Sequence, residues 1–502
     1  MIFPFILGAI ILRVYLVIRD SIPFAYDMGR DLLWAKDISF YAIPTLIGPA
    51  ASIWGVYFQP FWYYFLSIPL KLAGGHPLSA VYTTMFSIVL AGALPVILFR
   101  KYLSRNYIFP LSVIILFNAS LINLSTFAFH ANLLPLLTLL VIFFCFLAII
   151  KNPLYFSLAV GATSLMFSAD PAPAVVFTIL LALIFIFFKF YENKNRLKII
   201  LLSTTVYIIP FLPQILFEIR NDFIETKSLI AYFSGNNPSL SGQLPFISRF
   251  GDRLFLFFDL FKSGFTANNT ILALIALAII ILGLAKATKN SSQNLKTILK
   301  LNLLFLVSSY LIFTILVTVE VKNWYLNGIS VVYSFLVAIA LTSFKIRNFS
   351  IALIFIFLLI NIIPFFKNER HIKSRSDSAS LSNQMTAINI IYGDSENEPF
   401  SVYVFTPSIY DHNYQYLFWW QAKSEDKKLP SDFAYSPNVP SYVRNKENYA
   451  KQKETSVIYL IIEKAPENPF YTKVQWLSQF TNYRLIFEKE IANAIILQKR
   501  VR

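Results

Sequence analysis

The sequence predicts a mainly α fold: a polytopic bundle of about eleven transmembrane spans, followed by a small C-terminal α/β domain on the outer side of the membrane. Three observations carry this expectation. The 502-residue chain is 56% hydrophobic and 17% aromatic but only 14% charged, against about 25% charged in soluble domains. Its apolar residues are gathered into long runs joined by short basic connections. After residue 366 that pattern stops, and a mixed-charge tail with many Asn and Ser residues begins.

A bilayer core of about 30 Å takes roughly 20 helical residues, with about 17 to 25 tolerated. The stretches that meet or approach this length are 3–19, 79–99, 108–124, 133–150, 154–170, 173–190, 199–217, 268–285, 297–318, 329–344 and 349–366. The first lacks the basic start and small-residue cleavage site of a signal peptide, and Arg13 comes late in it, so it reads as an uncleaved span. Short connections hold Arg100, Lys101 and Arg105; Lys151; Lys189, Lys194, Arg196 and Lys198; Lys286, Lys289, Lys296 and Lys300; Lys345 and Arg347, with Glu192 as nearly their only acid. The positive-inside rule makes these connections cytoplasmic.

The apolar stretch 58–73 would break that order if it crossed the membrane. Residues 61–72, rich in Trp, Tyr and Pro, therefore read as an interfacial helix on the outer leaflet. An odd number of spans follows, with the N-terminus cytoplasmic and the outer loops 20–78 and 218–267 and the tail 367–502 extracytoplasmic. The chain thus divides into a membrane domain, 1–366, and an outer domain, 367–502. In the tail, 400–405 and 456–462 read as buried strands and 483–487 with 494–497 as a closing hairpin. About 135 residues suffice for one small α/β domain.

Composition also excludes function classes. The net charge of +16 is parcelled between apolar runs instead of forming one basic face, which argues against nucleic acid. Cys145, the only cysteine, lies in an apolar run, so there is no intrachain disulfide or thiolate metal cluster. No P-loop, Gly-rich dinucleotide turn or HExxH occurs, and the four histidines are scattered.

The polar stretch after the first span carries the chemistry. Asp27 and Asp31 are four residues apart and share one face of a helix over 27–38. Carboxylates fixed at a lipid–water boundary are candidates for a catalytic base. The plainer readings are an N-cap for Asp27 and a first-turn acid for Asp31. Arg30 is placed to pair with Asp27 or to meet an anion, and Asp37 reads as solvated surface.

Tyr26-Asp27-x-Gly29-Arg30-Asp31, the run 46–49, Gln59-Pro60-x-Trp62-Tyr63-Tyr64, the run 211–218 and Trp324-Tyr325-Leu326 together resemble the membrane-embedded GT-C glycosyltransferases. The branch is that of protein O-mannosyltransferases and bacterial aminoarabinose and lipopolysaccharide-sugar transferases, and the layout covers essentially the whole chain. The resemblance implies a GT-C-like bundle. It also implies inverting transfer of a monosaccharide, hexosyl or pentosyl, from a polyprenyl-phosphate sugar to a glycan, lipid or protein acceptor on the extracytoplasmic side. In a bacterial plasma membrane the carrier is undecaprenyl phosphate.

Under that resemblance Asp27 is the general base and Asp31 a second catalytic carboxylate. Arg30, Lys322, Arg220 and Arg253 are cations for the donor phosphate, with Arg249 a further one; Tyr325, Gln59, Tyr63, His130, Asn132 and Asp170 are substrate contacts. Plainer readings stand beside these: an aromatic belt for Trp62, Tyr63 and Tyr64, a snorkelling Lys322, a structural His130, and Glu218 as a tether for Arg220 or its own loop. Relatives often carry an acid in the second outer loop where this chain has Phe129-His130-Ala131-Asn132, which weakens the case for a two-carboxylate or metal-assisted site. No cofactor is expected, and the sparse acids argue against a dedicated cation cage without deciding metal dependence. A transporter or flippase of lipid-linked sugar would use Asp27, Asp170 and Lys322 as pathway charges. An inactive scaffold of the same fold is the other alternative.

Overall fold

The computed structural model describes residues 2–19, 22–235, 244–344, 347–367, 377–395, 398–406, 410–439, 441–444, 455–464, 466 and 471–502. Lys345 and part of the expected outer loop, 236–243, lie outside the described residues, as does the side chain of Arg347.

The helices of the first part are α1 Phe3–Arg19, α2 Tyr26–Tyr41, α3 Phe61–Leu72, α4 Leu78–Leu98, α5 Arg105–Phe117, α6 Ala119–Leu124, α7 Leu134–Ile150, α8 Phe156–Leu165, α9 Pro171–Phe187, α10 Arg196–Ile208, α11 Leu212–Arg220, α12 Ile224–Phe233, α13 Phe246–Phe265, α14 Thr270–Asn290, α15 Gln293–Ile315, α16 Ile329–Ser343 and α17 Arg347–Lys367. The tail adds α18 Leu381–Asp394, β1 Phe400–Phe405, α19 His412–Ser424, β2 Phe433–Ala434, β3 Val457–Glu463, α20 Lys473–Leu477, β4 Arg484–Ile491 and β5 Ile495–Val501. Every stretch expected to span is mostly helical, the run 108–124 with a break at Asn118. Among the described residues six helices are long and apolar enough to cross a membrane, and shorter apolar helices cover Arg105–Phe117, Pro153–Ser168, Pro171–Phe187 and Ile329–Ser343. This is an integral membrane protein.

The chain divides into two compact units. One comprises Met1–Arg13, Thr45–Trp62 and Thr84–Lys367, and the other Val14–Pro44, Tyr63–Thr83 and Asn368–Arg502. The tail thus groups with α2 and most of α3, although the sequence reading had assigned that loop to the membrane domain.

Within the first unit, the run 108–124 is broken at Asn118, whose φ of −63° and ψ of 124° end α5. The Asn118 side chain accepts from Leu121 N at 3.1 Å, and Ala119 N donates to Asn361 Oδ1 at 3.3 Å. The break therefore leaves those amides partnered where no water would serve them. Arg13 is fully buried, donating to Ser125 Oγ at 2.9 Å and to the Ala9 carbonyl at 3.2 Å.

The second unit is built on a five-stranded sheet of order β2-β1-β3-β5-β4. β1 runs parallel to β2 and β3, while β5 is antiparallel to β3 and β4. β1 is buried at every position, as expected of a parallel strand covered on both faces. On one face Tyr403, Phe405, Ile458, Leu460 and Ile462 pack with Trp476 and Phe480. The hairpin over 484–501 matches the pair of apolar runs in the sequence. Helix α2 is buried nearly all round, at Met28, Gly29, Asp31, Leu32, Leu33, Ala35, Lys36, Asp37 and Ser39, because α19 packs along it.

Candidate functional site

In the second unit, α2 begins after Ala25, which is its N-cap with extended backbone. Asp27 is therefore not the cap; it lies in the first turn, where the helix dipole favours an anion. Arg30 donates from Nη1 to Asp27 Oδ1 at 2.8 Å and from Nε and Nη2 to Asp31 Oδ1 at 2.9 and 2.8 Å. One guanidinium thus bridges both carboxylates. Their settings differ: the Asp27 side chain is 49% exposed and that of Asp31 only 3%. Asp27 Oδ2 has no partner among the described residues. Burial works against the charge on Arg30, but Asp31 first, then Tyr63 and Asp27, outweigh it and hold Arg30 above its ordinary value. Tyr63 is buried beside this group and its ring stacks on Trp34, with centroids 5.8 Å apart.

Asp37 is not solvated surface. It is 4% exposed, lies 2.7 Å from Lys36 Nζ and 3.1 Å from Arg444 Nε. Lys36 is wholly buried over the rings of Tyr41 and Trp419, at 5.1 and 5.6 Å. Nothing in the local sequence pattern marks this pair, since Arg444 and Trp419 come from the far end of the chain.

In the first unit, a polar cluster gathers at the turn before α9. Asp170 is 4% exposed and caps α9, accepting from Ala172 N at 3.0 Å and from the Trp324 indole. His130 Nδ1 meets the Ala169 carbonyl, with its ring edge-on to Phe58 at 4.9 Å and against Phe129 at 4.0 Å. Gln59 accepts from Ser168 Oγ at 3.5 Å, while its Nε2 is buried with no hydrogen bond. The structure therefore brings Gln59, His130 and Asp170 together. Asn132 is spent internally, donating to the Leu124 and Phe127 carbonyls and accepting from Asn327.

Among the expected cations of this unit, Arg253 is buried and donates to the carbonyls of Val317 and Val319, and Arg249 to those of Thr314 and Ile315. Arg249 thus satisfies carbonyls left over at the end of α15, and Arg253 those of the segment that follows it. Lys322 carries an exposed ion pair with Glu320 at 2.5 Å, and Arg220 is an exposed residue at the end of α11. Tyr325 is held above the ordinary tyrosine range by burial and then by the charge of Asp170. Glu218 holds its own loop: its carboxylate accepts from Glu225 N, Thr226 N and Thr226 Oγ1 at 2.8, 2.9 and 2.6 Å, so it caps α12 from a distance. Among the described residues, no group of three or more His, Cys, Asp or Glu is placed to hold a metal ion.

No protein-family model matches the chain, and no curated protein sequence matches it. Among solved structures the chain is similar to ArnT from Cupriavidus metallidurans in the apo state, with a TM-score of 0.62, 8% identity, and coverage of 99% of this chain and 97% of that one. ArnT bound to undecaprenyl phosphate gives a TM-score of 0.62 at 10% identity with the same coverage, 99% and 97%. The Archaeoglobus fulgidus oligosaccharyltransferase AglB, in complex with an inhibitory peptide and a dolichol-phosphate, gives 0.46 at 13% identity, covering 92% of this chain and 69% of that one. The likeness to ArnT is one of fold, over nearly the whole of both chains, and the GT-C-like architecture expected from the sequence is the one found.

Proposed function

We propose, on the premise of the fold shared with ArnT, that this protein is a glycosyltransferase that moves a monosaccharide from a polyprenyl-phosphate sugar to an acceptor on the extracytoplasmic side, with inversion and with Asp27 as general base. The ArnT structure bound to undecaprenyl phosphate supports the donor class. The single observation that carries the base is the Arg30 bridge, which pins one oxygen of the half-exposed Asp27 side chain and leaves Oδ2 unpartnered among the described residues. Asp31, buried and bonded to the same guanidinium, acts on Asp27 through Arg30.

In this reading Oδ2 takes the acceptor hydroxyl proton as that oxygen bonds to the anomeric carbon. The bond from that carbon to the phosphate oxygen breaks, and the lipid phosphate leaves with the electron pair. A carboxylate of ordinary basicity serves, because the hydroxyl becomes acidic only as the new bond forms. The leaving phosphate needs cations and donors, not a proton. We assign that part to Lys322 and Arg220, which, among the described residues, do not spend their charge on main-chain carbonyls as Arg249 and Arg253 do. Gln59, His130 and Asp170 we assign to polar contacts with substrate.

The test is transfer of radiolabelled sugar from a panel of undecaprenyl-phosphate sugars in membranes. Asp27→Asn should lower transfer by about 10²- to 10⁴-fold while undecaprenyl phosphate still binds. Transfer at the wild-type rate in the variant removes the base. A wild type that transfers no sugar, with lipid flux that falls in Asp27→Asn, favours the flippase reading.

A further inference from the structure

We infer that the C-terminal tail is a positioning element for the acid-bearing turn of α2, with Gly29 and His412 as the residues through which it sets the Arg30–Asp27 pair. Only the kinetic arm of this inference rests on the proposed base.

The tail grips the chain just before that turn through its backbone. Phe24 N donates to the Ala379 carbonyl at 2.6 Å, Leu381 N donates to the Ile22 carbonyl at 3.0 Å, and Pro23 and Ser380 form an antiparallel bridge. Gln384 Nε2 then donates to the Phe24 carbonyl at 3.1 Å. The lead-in to α2 is therefore held on both sides of Pro23 by the segment that opens α18, and none of these bonds depends on the rotamer of an exposed side chain.

The turn itself is held by α19. A Cβ at Gly29 would overlap the backbone of His412 and Asn413, so only glycine lets the two helices approach this closely. At the other end of α2, Trp419 Nε1 donates to Tyr41 Oη at 2.8 Å and its ring lies edge-on to Phe40 at 5.3 Å. The helices therefore run in the same sense and touch at both ends of α2.

His412 then links α19 to Arg30. Its ring lies 4.9 Å from Tyr26, 5.8 Å from Tyr410 and 4.3 Å from Tyr442, and Arg30 sits over Tyr26 at 5.5 Å. Burial, and after it the Arg30 charge, push His412 down to about 4, so the imidazole stays neutral beside the guanidinium. Tyr26 therefore contacts both an uncharged ring and the cation that orients Asp27. Loosening this contact removes the support that α19 gives to the Tyr26 ring over which Arg30 sits.

Hydrogen exchange on the full chain in lipid nanodiscs tests this. In Gly29→Ala and in His412→Ala, the amides of Phe24, Gly29 and residues 30–33 should exchange at least about tenfold faster than in the wild type, with α15 and α16 unchanged. His412→Phe, which keeps a ring in the cluster, should exchange as the wild type does. Unchanged exchange at these amides in both disruptive variants overturns the inference. So does an acceleration that reaches α15 and α16 equally, which would mark general loosening.

With undecaprenyl-phosphate sugars as donors, His412→Ala should lower kcat at least about tenfold with the donor KM within about twofold, and His412→Phe should restore it. Faster exchange with wild-type kcat also overturns the positioning role. A wild type without any transfer sinks the base assignment alone, and the exchange arm still decides whether the tail positions the turn.

Discussion

Glu463, at the end of β3, is 6% exposed, and its carboxyl accepts from Tyr414 Oη at 3.0 Å. Burial raises it from 4.5 to about 7, against the lowering effect of its hydrogen bonds. Between those two values the folded tail holds a proton that the unfolded chain releases, so Glu463 contributes stability that is fully present below 4.5 and is lost as pH rises through about 7. At about 1.4 kcal/mol per pH unit the whole loss is about 3 kcal/mol. Glu463→Gln keeps an acceptor for Tyr414 but cannot ionise. It should match the wild type near pH 4.5 and exceed it by up to about 3 kcal/mol at pH 8. Exchange of the Leu460 and Ile461 amides in the full chain, corrected for intrinsic rates, reads this as an approximately 100-fold slowing relative to the wild type at pH 8 alone. A ratio that does not change between the two pH values would refute the reasoning, and a ratio that moves the other way would invert its sign.

Asp37→Asn should destabilise the second unit by about 3 to 5 kcal/mol, because it leaves Lys36 buried without its carboxylate, and Lys36→Met with Asp37→Asn should recover most of that loss. Exchange along α2 checks both, and a harmless single variant would mean that Lys36 finds another partner. Trp476→Ala removes a fully buried indole packed on Phe405 and Phe480, together with its bond to the Tyr435 carbonyl at 2.5 Å. The expected cost is about 3 to 5 kcal/mol, seen as faster exchange across β1 and β3 and absent from α15; no change there would show that this cluster is not the tail's core.

Periodicity and composition made much of this legible. The apolar runs became helices, 61–72 is helical as expected, and 400–405 and 456–462 became adjacent parallel strands because their unbroken apolar character suits a sheet buried on both faces. That Asp27 and Asp31 share one helix face was visible from their i,i+4 spacing, but the Arg30 bonds that join both carboxylates were not. What could not be read was which side chains are used up. Asp37 looked solvated because its polar neighbours are local, while Arg444 and α19 are not. Arg253 looked like a free cation because the carbonyls of Val317 and Val319 that it satisfies carry no sequence signature. Glu218 resolved in favour of its loop, through amides any residue would offer. Gly29 had a signal, a glycine inside a helix, whose reason appears only when Asn413 is placed against it.

The distance along the chain between α2 and its supports also sets a clock. Gln384 reaches the Phe24 carbonyl across 360 positions. At about 5 to 20 residues per second of synthesis, roughly 20 to 70 s separate the appearance of the two. Throughout that interval the spans can form from local contacts, whereas the acid-bearing helix waits without its partner, its buried Lys36 and Asp37 still in water. Nascent chains truncated before residue 380 should therefore hold a formed membrane bundle and an unprotected α2. Whatever catalysis depends on that helix begins only after residues 379–444 have left the ribosome.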